Sequence, residues 1–417
     1  MAEELLPPMK WNAWGDPAAA KPLSESIRSL LKQALGVQDS DVAELDADQV
    51  RLSSSALGQA DYDALAAIVG PDFCRVGDRD RLLHAGGKST LDLLRRKDTG
   101  VQEAPDAVLL PGDEDDVAAI LRHCSQRGIA VVPFGGGTSV VGGLDPIRGR
   151  FDAVVSLDLR RFNRLHALDA MSGVAELGAG VTGPQAESLL GEHGFSLGIF
   201  RRASSSPPSA ASRRPARRVR IRRATGASTT WFGAAGHHSG GRAGAGPGPA
   251  SAAGPDLREL MIGSEGVFGV ITRVRLRVHR IPEATIYEAW SFPDFATGTA
   301  ALRAVSQTGT GPTVIRLSDE AETGVNLATT EAIGQQQITG GCLAITVFEG
   351  TTAHAESRHA ETRTLLEAHG GTSLGEEPAQ AWQRGRFSAP YLRDSLLAAA
   401  RCVRPWRPPP TGPTSPR

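Results

Sequence analysis

Cysteines, aromatic residues and long apolar runs are all scarce in this chain of 417 residues. The cysteines (Cys74, Cys124, Cys342 and Cys402) are widely separated and form no Cys-x-x-Cys pair, which argues against a disulfide framework and against structural zinc. No run approaches the roughly 20 apolar residues of a membrane helix. The start of the chain, 1–4, carries acids where a signal peptide carries bases. We therefore expect a cytoplasmic protein.

An excess of charge of one sign is also missing. Lys and Arg number 45 against 46 Asp and Glu, and the formal net charge is -1. Such a balance gives no overall field that would attract nucleic acid, so we expect no nucleic-acid partner. The length allows two or three domains with a sizeable core.

The most informative segment is rich in glycine and follows a short apolar strand. Residues 129–132 (IAVV) predict a buried strand, and residues 133–143 (PFGGGTSVVGG) follow at once. Consecutive glycines let backbone N–H groups converge on one point without Cβ clashes. With the hydroxyls of Thr138 and Ser139 beside them, these donors suit a diphosphate.

A second glycine segment, residues 263–272 (GSEGVFGVIT), lies further along the chain. Gly266 and Gly269 would let the backbone approach a ligand closely, and Glu265 can accept hydrogen bonds from hydroxyl groups. The alternative is that both segments are ordinary glycine turns. Together, and in this order, they favour a dinucleotide cofactor.

The pattern of apolar residues predicts an α+β chain. Residues 107–110 predict a strand, 113–127 a helix and 153–157 another strand, as in a βαβ-type unit. A further helix is predicted over 23–36. We divide the chain into four regions: an N-terminal helical and loop region 1–100, a cofactor domain 101–280, a partial α+β cap 281–400, and a tail 401–417.

Residues 201–248 break the pattern. The segment is full of Arg, Ser, Ala, Gly and Pro, and it contains no Asp, Glu or Lys. A disordered basic insertion is one interpretation. The other is translation out of frame, because suitable codons for residues 201–212, shifted by one nucleotide, can encode PQSFEFATIGGF. The Pro-rich tail 401–417 suggests the same, although a genuine Pro-rich tail has the same composition.

The two glycine segments resemble the FAD-binding domain of the vanillyl-alcohol oxidase and p-cresol methylhydroxylase superfamily. Residues 9–16 (MKWNAWGD), 314–317 (VIRL) and 390–394 (PYLRD) narrow the resemblance to the alkyldihydroxyacetonephosphate synthase family. The resemblance implies a two-subdomain FAD-binding domain followed by a cap, here truncated.

The resemblance also implies which residues contact FAD. They are Phe134, Gly135, Gly136, Gly137, Thr138, Ser139 and Val140 around the diphosphate, and Glu265, Gly266, Val267, Phe268, Gly269, Val270 and Ile271 at the nucleotide half.

Two arginines are the candidate substrate ligands. Arg393 matches the arginine that the synthases use for the substrate phosphate, and a guanidinium fork suits a phosphate dianion. A surface ion pair with Asp394 is the equal alternative. Arg316 has the same two interpretations, with less weight on binding.

No catalytic residue can be named, because the tyrosine and histidine cluster that the family uses would lie beyond Arg417. No metal site is expected, since His237 and His238 fall in the aberrant segment and become incidental if it is out of frame.

The resemblance implies exchange of the acyl group of acyl-dihydroxyacetone phosphate for a fatty alcohol, with FAD holding the substrate carbon and no net redox change. A small lipid-phosphate substrate is thus expected, and peripheral membrane contact and a homodimer are left open. One alternative is an FAD-dependent 2-hydroxy-acid dehydrogenase, which shares the glycine segments. The other is a non-catalytic remnant, because the chain lacks part of the expected flavin cradle.

Overall fold

The structure is a computed structural model. It describes residues 10–15, 23, 28–29, 32, 45–98, 100–198, 231–238, 241–244, 254, 257–261, 264–309, 311–329, 341–385 and 389–399. Most of the helix predicted over 23–36, residues 201–230 of the aberrant segment and the whole tail 401–417 lie outside this set.

The strands are numbered in chain order. They are β1 (Arg51–Leu52), β2 (Cys74–Arg75), β3 (Val101–Gln102), β4 (Ala107–Leu109), β5 (Ile129–Phe134), β6 (Ala153–Asp158), β7 (Leu165–Asp169), β8 (Val174–Gly178), β9 (Phe195–Ser196), β10 (Trp231–His238), β11 (Gly241–Gly244), β12 (Val270–Arg277), β13 (His279–Arg280), β14 (Ala284–Phe292), β15 (Val314–Leu317), β16 (Cys342–Gly350) and β17 (Thr372–Gly375).

The helices are numbered in the same way. They are α1 (Gln59–Val69), α2 (Asp78–Leu83), α3 (Thr90–Asp98), α4 (Glu114–Arg127), α5 (Gly183–Gly191), α6 (Leu257–Met261), α7 (Phe295–Thr308), α8 (Glu320–Thr329), α9 (Thr352–Ala368), α10 (Glu377–Gly385) and α11 (Ala389–Ala399). Short 3-10 turns are also present at Ala47–Gln49 and Pro71–Phe73.

The first sheet has the strand order β2-β4-β6-β5, with β4 and β5 parallel to the buried central strand β6. Helix α4 joins β4 to β5. Asp113 caps its start by accepting the N–H groups of Asp115 and Asp116, and Gly128 ends it in the left-handed conformation (φ 63). Val117 of α4 packs in the core with β6, so the predicted βαβ-type unit is confirmed.

The core of this sheet also includes residues that the sequence assigned to a separate region 1–100. Cys74 belongs to the edge strand β2, and Leu65, Ala66 and Val69 of α1 are buried against the sheet. The core of the first sheet therefore also includes residues that precede position 101. The apolar face of α1 has to be buried, and this sheet is the surface that buries it.

The second sheet is antiparallel, with the order β11-β10-β12-β8-β7. Strand β12 mixes buried and partly exposed residues, and α5 covers the sheet through Ala186 and Leu190. The sequence predicted no strand within 201–248, yet β10 and β11 lie there. Strand pairing uses backbone groups, so a segment rich in Gly and Ala can pair with β12 without a periodic side-chain pattern.

The C-terminal unit is an antiparallel sheet with the order β15-β16-β14-β17. Helices α7 and α9 pack on one face around Trp290 and Phe292, and α10 packs on the other face through Ala379. The described chain thus has two larger sheets in its first part, besides the two-stranded pairs β1–β3 and β9–β13, and an α+β unit after residue 281, which confirms the predicted fold class. No helix among the described residues is long and apolar enough to cross a membrane.

Candidate functional site

The first glycine segment begins where β5 ends. Phe134, the last residue of the strand, is buried, and its ring centroid lies 4.2 Å from that of His84. Gly137 (φ 66) and Gly142 (φ 79) adopt the left-handed conformation that favours glycine. Thr138 between them is buried. The segment therefore turns sharply at the carboxyl edge of the first sheet.

Several backbone N–H donors of this segment have no acceptor in the described part of the chain. Among the residues that the structure describes, the backbone N–H groups of 135–140 donate to no acceptor. The segment is instead held by its acceptors: the carbonyl of Ser139 accepts the N–H of Lys88 at 2.6 Å, and the Ser139 hydroxyl accepts the N–H of Val141 at 3.4 Å. A row of N–H donors beside a buried threonine fits the oxygens of a diphosphate.

The second glycine segment lies directly against the first. Gly266 has φ 87, and a Cβ added to it would lie 2.9 Å from Cδ and Cγ of Pro133. The carboxylate of Glu265 lies so close to Gly143 that a Cβ at that position would overlap it. The structure thus brings together the two segments that the sequence assigned to one cofactor.

The side chains predicted to contact FAD do not all point the same way. Val270 is 1% exposed and belongs to the core of the first sheet, so it could contact a ligand only through its backbone. Ile271 is half-buried in β12, opposite Gly236. Val267 and Phe268 are 79% and 47% exposed. Direct contact with FAD remains a prediction for each of these residues.

A buried charge cluster, which no sequence motif indicates, supports the start of the glycine segment. Nε2 of His84 lies 2.8 Å from Oδ2 of Asp158, and its Nδ1 lies 2.7 Å from the carbonyl oxygen of Asp80. Arg160 also binds the Asp158 carboxylate. Burial by itself raises the pKa of Asp158, but the hydrogen bonds from His84 and Arg160 outweigh burial and the pKa is lowered.

Arg393 is linked to the first glycine segment through one residue, Lys88. Its Nη1 donates to the carbonyl of Lys88 at 2.8 Å, and the N–H of Lys88 donates to Ser139. The guanidinium also pairs with Asp394 through Nε (3.1 Å) and Nη2 (3.0 Å). Both sequence interpretations of Arg393 are therefore compatible with the structure. Of the five guanidinium N–H groups, two are not used within the described residues.

Arg316 stands apart from this arrangement. It lies on the edge strand β15 and pairs with Glu322 of α8. Among the described residues, no hydrogen bond or ion pair joins it to either glycine segment. Its role in substrate binding remains a prediction.

Sequence reasoning missed Lys88. The signal was the string Gly86-Gly87-Lys88-Ser89-Thr90 before α3, which is similar to the end of a phosphate-binding loop. That motif would need a glycine at position 82, where this chain has leucine. In the structure, the Lys88 ammonium binds two backbone carbonyls instead of facing an open site.

Metal ligands do not gather in the described part of the chain, where no group of three His, Cys, Asp or Glu could hold an ion. His237 and His238 belong to β10, and their side chains are outside the description.

Comparison with known proteins decides the family. The sequence matches the FAD binding domain family over residues 105–209 and the C-terminal domain family of FAD linked oxidases over 281–403. It is 28% identical to alkyldihydroxyacetonephosphate synthase of Trypanosoma brucei brucei, with 95% of this chain and 72% of that protein covered. The chain belongs to the alkyldihydroxyacetonephosphate synthase-like family of FAD-binding proteins. FAD is the cofactor of this family, and the donors at 135–140 fit it.

Other relatives match shorter stretches of the chain. Protein Rv2250A of Mycobacterium tuberculosis is 69% identical over 121 residues, which is 29% of this chain and 81% of that protein. A mitochondrial D-lactate dehydrogenase [cytochrome] of Arabidopsis thaliana is 27% identical, but only 66% of this chain and 47% of that protein are covered. The hydroxy-acid dehydrogenases are thus the weaker match.

The fold is shared with solved structures. A structure of alkyldihydroxyacetonephosphate synthase matches with a TM-score of 0.77 at 23% identity, covering 94% of this chain and 80% of that one. Substrate-bound p-cresol methylhydroxylase matches with a TM-score of 0.56 at 16% identity, covering 83% and 71%. At these identities the matches support the fold alone.

Proposed function

We propose that this protein is an alkyldihydroxyacetonephosphate synthase-type enzyme, which exchanges the acyl group of acyl-dihydroxyacetone phosphate for a fatty alcohol. The observation that carries the proposal is the position of Arg393. Its guanidinium is one residue removed from Ser139 of the candidate diphosphate-binding segment, and two of its N–H groups have no acceptor among the described residues. The candidate cofactor site and the candidate phosphate-binding arginine thus lie side by side, which supports the proposal.

The proposed reaction balances without a net oxidant. The bond from substrate carbon 1 to the ester oxygen breaks, a bond from the same carbon to the alcohol oxygen forms, and the fatty acid leaves with the alcohol proton. FAD, when bound, supplies the centre that holds the carbon between these two events. The residues of the chain supply the rest: Arg393 would hold the phosphate, and the glycine segments would orient the cofactor.

A 2-hydroxy-acid dehydrogenase is the second candidate, favoured by the similarity to D-lactate dehydrogenase. An arginine can hold the carboxylate of a hydroxy acid as well as a phosphate, so Arg393 alone does not separate the two reactions. The segment 10–15, which carries the synthase-like WNAWG string, favours the synthase because it packs against Asp394, the partner of Arg393.

The test uses the purified full chain. We expect a flavin absorbance spectrum with bound FAD, and formation of an alkyl ether from acyl-dihydroxyacetone phosphate and a fatty alcohol. Dye reduction with D-lactate or glycolate, without ether formation, would establish the second candidate. A chain that binds no FAD would be the non-catalytic remnant.

Two arginine variants locate the phosphate ligand. Arg393→Ala should raise the KM for the phosphate substrate by about 100-fold, as expected for removal of a charged hydrogen-bonding partner. Arg316→Ala serves as the matched comparison, because Arg316 is also an ion-paired arginine. A large effect at Arg316 and none at Arg393 would reverse the assignment.

We further propose that the enzyme is cytoplasmic, that it reaches its lipid substrate by peripheral membrane contact, and that it forms a homodimer. Flotation with lipid vesicles tests the membrane contact, and the mass in solution tests the dimer.

A further inference from the structure

Lys88 lies at the crossing of four segments of the chain. Its side chain is 2% exposed, and Nζ donates to the carbonyl oxygens of Lys10 and Trp11, both at 2.9 Å. Arg96 of α3 donates to the same Trp11 carbonyl at 2.8 Å. We call residues 10–15 the strap. Two cations therefore hold the strap at its first turn.

The other end of the strap is bound to α11. The N–H of Trp14 donates to Oδ2 of Asp394, and Gly15 (φ 58) packs so closely on Tyr391 that an added Cβ would overlap the phenolic oxygen. Trp11, Asn12 and Trp14 are all buried. The strap thus spans the distance from Lys88 to the first turns of α11.

Lys88 reaches Arg393 by two routes. Its carbonyl accepts directly from Nη1 of Arg393. Its ammonium holds the strap, the strap holds Oδ2 of Asp394, and Oδ1 of Asp394 holds Nε and Nη2 of Arg393. The guanidinium is therefore oriented from both sides by contacts that pass through one residue.

The surroundings of Lys88 indicate that it orients other groups and does not itself bind a ligand. Burial, followed by the nearby charge of Arg96, lowers its pKa well below the ordinary value. The two carbonyl oxygens bound by Nζ compensate for the water that the amine has lost. The N–H of Lys88 meanwhile binds Ser139, so the same residue joins the strap to the diphosphate-binding segment.

We propose that Lys88 is a positioning residue for Arg393, and that seating of the strap sets the geometry with which Arg393 binds the substrate phosphate. This inference rests on the proposed function, in which Arg393 binds phosphate. Lys88 makes no contact with substrate in this scheme.

The direct test is Lys88→Met, which keeps the length of the side chain and removes its hydrogen bonds to the strap. We expect the KM for acyl-dihydroxyacetone phosphate to rise at least about tenfold, since the two hydrogen bonds from Nζ to the strap are lost. We expect kcat and FAD affinity to change less than about twofold, because the backbone bond to Ser139 remains. Lys97→Met, in helix α3 (Thr90–Asp98) that follows Lys88, is the control. The inference would be overturned by an unchanged KM, or by a loss that falls on kcat while KM stays the same.

A second set of variants reaches the same contact without touching Lys88. Gly15→Ala places a Cβ against the Tyr391 hydroxyl and should lift the strap from α11. The same rise in KM is expected, with partial recovery in the Gly15→Ala/Tyr391→Phe double variant. Gly149→Ala is the control for backbone strain, because Gly149 has the same φ of 58 and open space around it. A rise in KM for Gly149→Ala as large as that for Gly15→Ala would also contradict the inference.

Strap seating can be measured without turnover. Trypsin cuts after lysine, and cleavage between Lys10 and Trp11 requires the strap to leave its site. We expect Lys88→Met to speed this cut at least about tenfold, in proportion to the opened population. If the wild-type chain makes no ether while the cut still accelerates, the proposed function fails and the strap contact stands. If ether forms and Lys88→Met changes neither KM nor cleavage, the positioning role fails.

Discussion

The contact between the two glycine segments makes a sharp prediction at Gly266. Replacement by alanine would impose two separate costs. The residue has φ 87, a conformation that costs an L-residue about 1–2 kcal/mol. The new Cβ would also lie 2.9 Å from two atoms of the Pro133 ring, and such overpacking costs about 1–3 kcal/mol. The sum is about 2–5 kcal/mol.

A matched control separates the two costs. Gly194 lies in the same part of the chain with φ 77, and nothing lies within 4 Å of an added Cβ. Gly194→Ala should therefore lower the free energy of unfolding by the strain alone, about 1–2 kcal/mol. The difference between the two variants measures the overlap with Pro133.

The overlap should also appear in cofactor binding. If Pro133 and Gly266 together shape the FAD site, pushing them apart by about 1–3 kcal/mol weakens FAD binding by about 5- to 150-fold. Titration of the apoprotein, followed by quenching of flavin fluorescence, measures the dissociation constant. Gly194→Ala should leave it unchanged. Equal FAD affinity in both variants would show that the two glycine segments do not form one cofactor site.

Two further predictions concern other parts of the chain. Asp158→Asn leaves His84 and Arg160 without their buried counter-ion and should cost about 3–5 kcal/mol in thermal or urea unfolding. Because the pKa of Asp158 is lowered on folding, its contribution is present above the unfolded value of about 4 and is lost as the pH falls through the folded value; a variant with wild-type acid stability would contradict this pairing. Sequencing the gene across the codons for residues 195–255 and beyond codon 400 should reveal a reading frame that encodes a family-like sequence. Codons that cannot encode PQSFEFATIGGF in the shifted frame would rule out the frame hypothesis.

The parts of the fold that the sequence predicted well are those fixed by neighbours along the chain. The helix from 114 to 127 has an acidic cap, an apolar face and a glycine stop within one segment, and the structure places it within one residue of its prediction. The glycine segments could be found for the same reason, since strings of glycine after a strand have few structural explanations.

The parts that the sequence did not predict depend on contacts between distant residues. Lys88 binds the strap 77 and 78 positions away, and Arg393 lies 305 positions from Lys88. Strands β10 and β11 have no periodic side-chain pattern, and their place is fixed by pairing with β12. The ion pair of Arg393 with Asp394 was foreseen, but its link to the glycine segment could not be.

Glu265 offers a test of whether the site is strained for function. Among the described residues, Glu265 is the one non-glycine residue with a positive φ (53). Such a conformation costs about 1–3 kcal/mol and is concentrated at functional sites. Glu265→Gly would relieve this strain and remove the carboxylate beside Gly143. If the carboxylate accepts hydrogen bonds from FAD hydroxyls, the variant should unfold at a higher temperature and bind FAD about tenfold more weakly. Higher stability with unchanged FAD affinity would mean that Glu265 only shapes the turn. Lower stability would mean that its contact with the first glycine segment outweighs the strain.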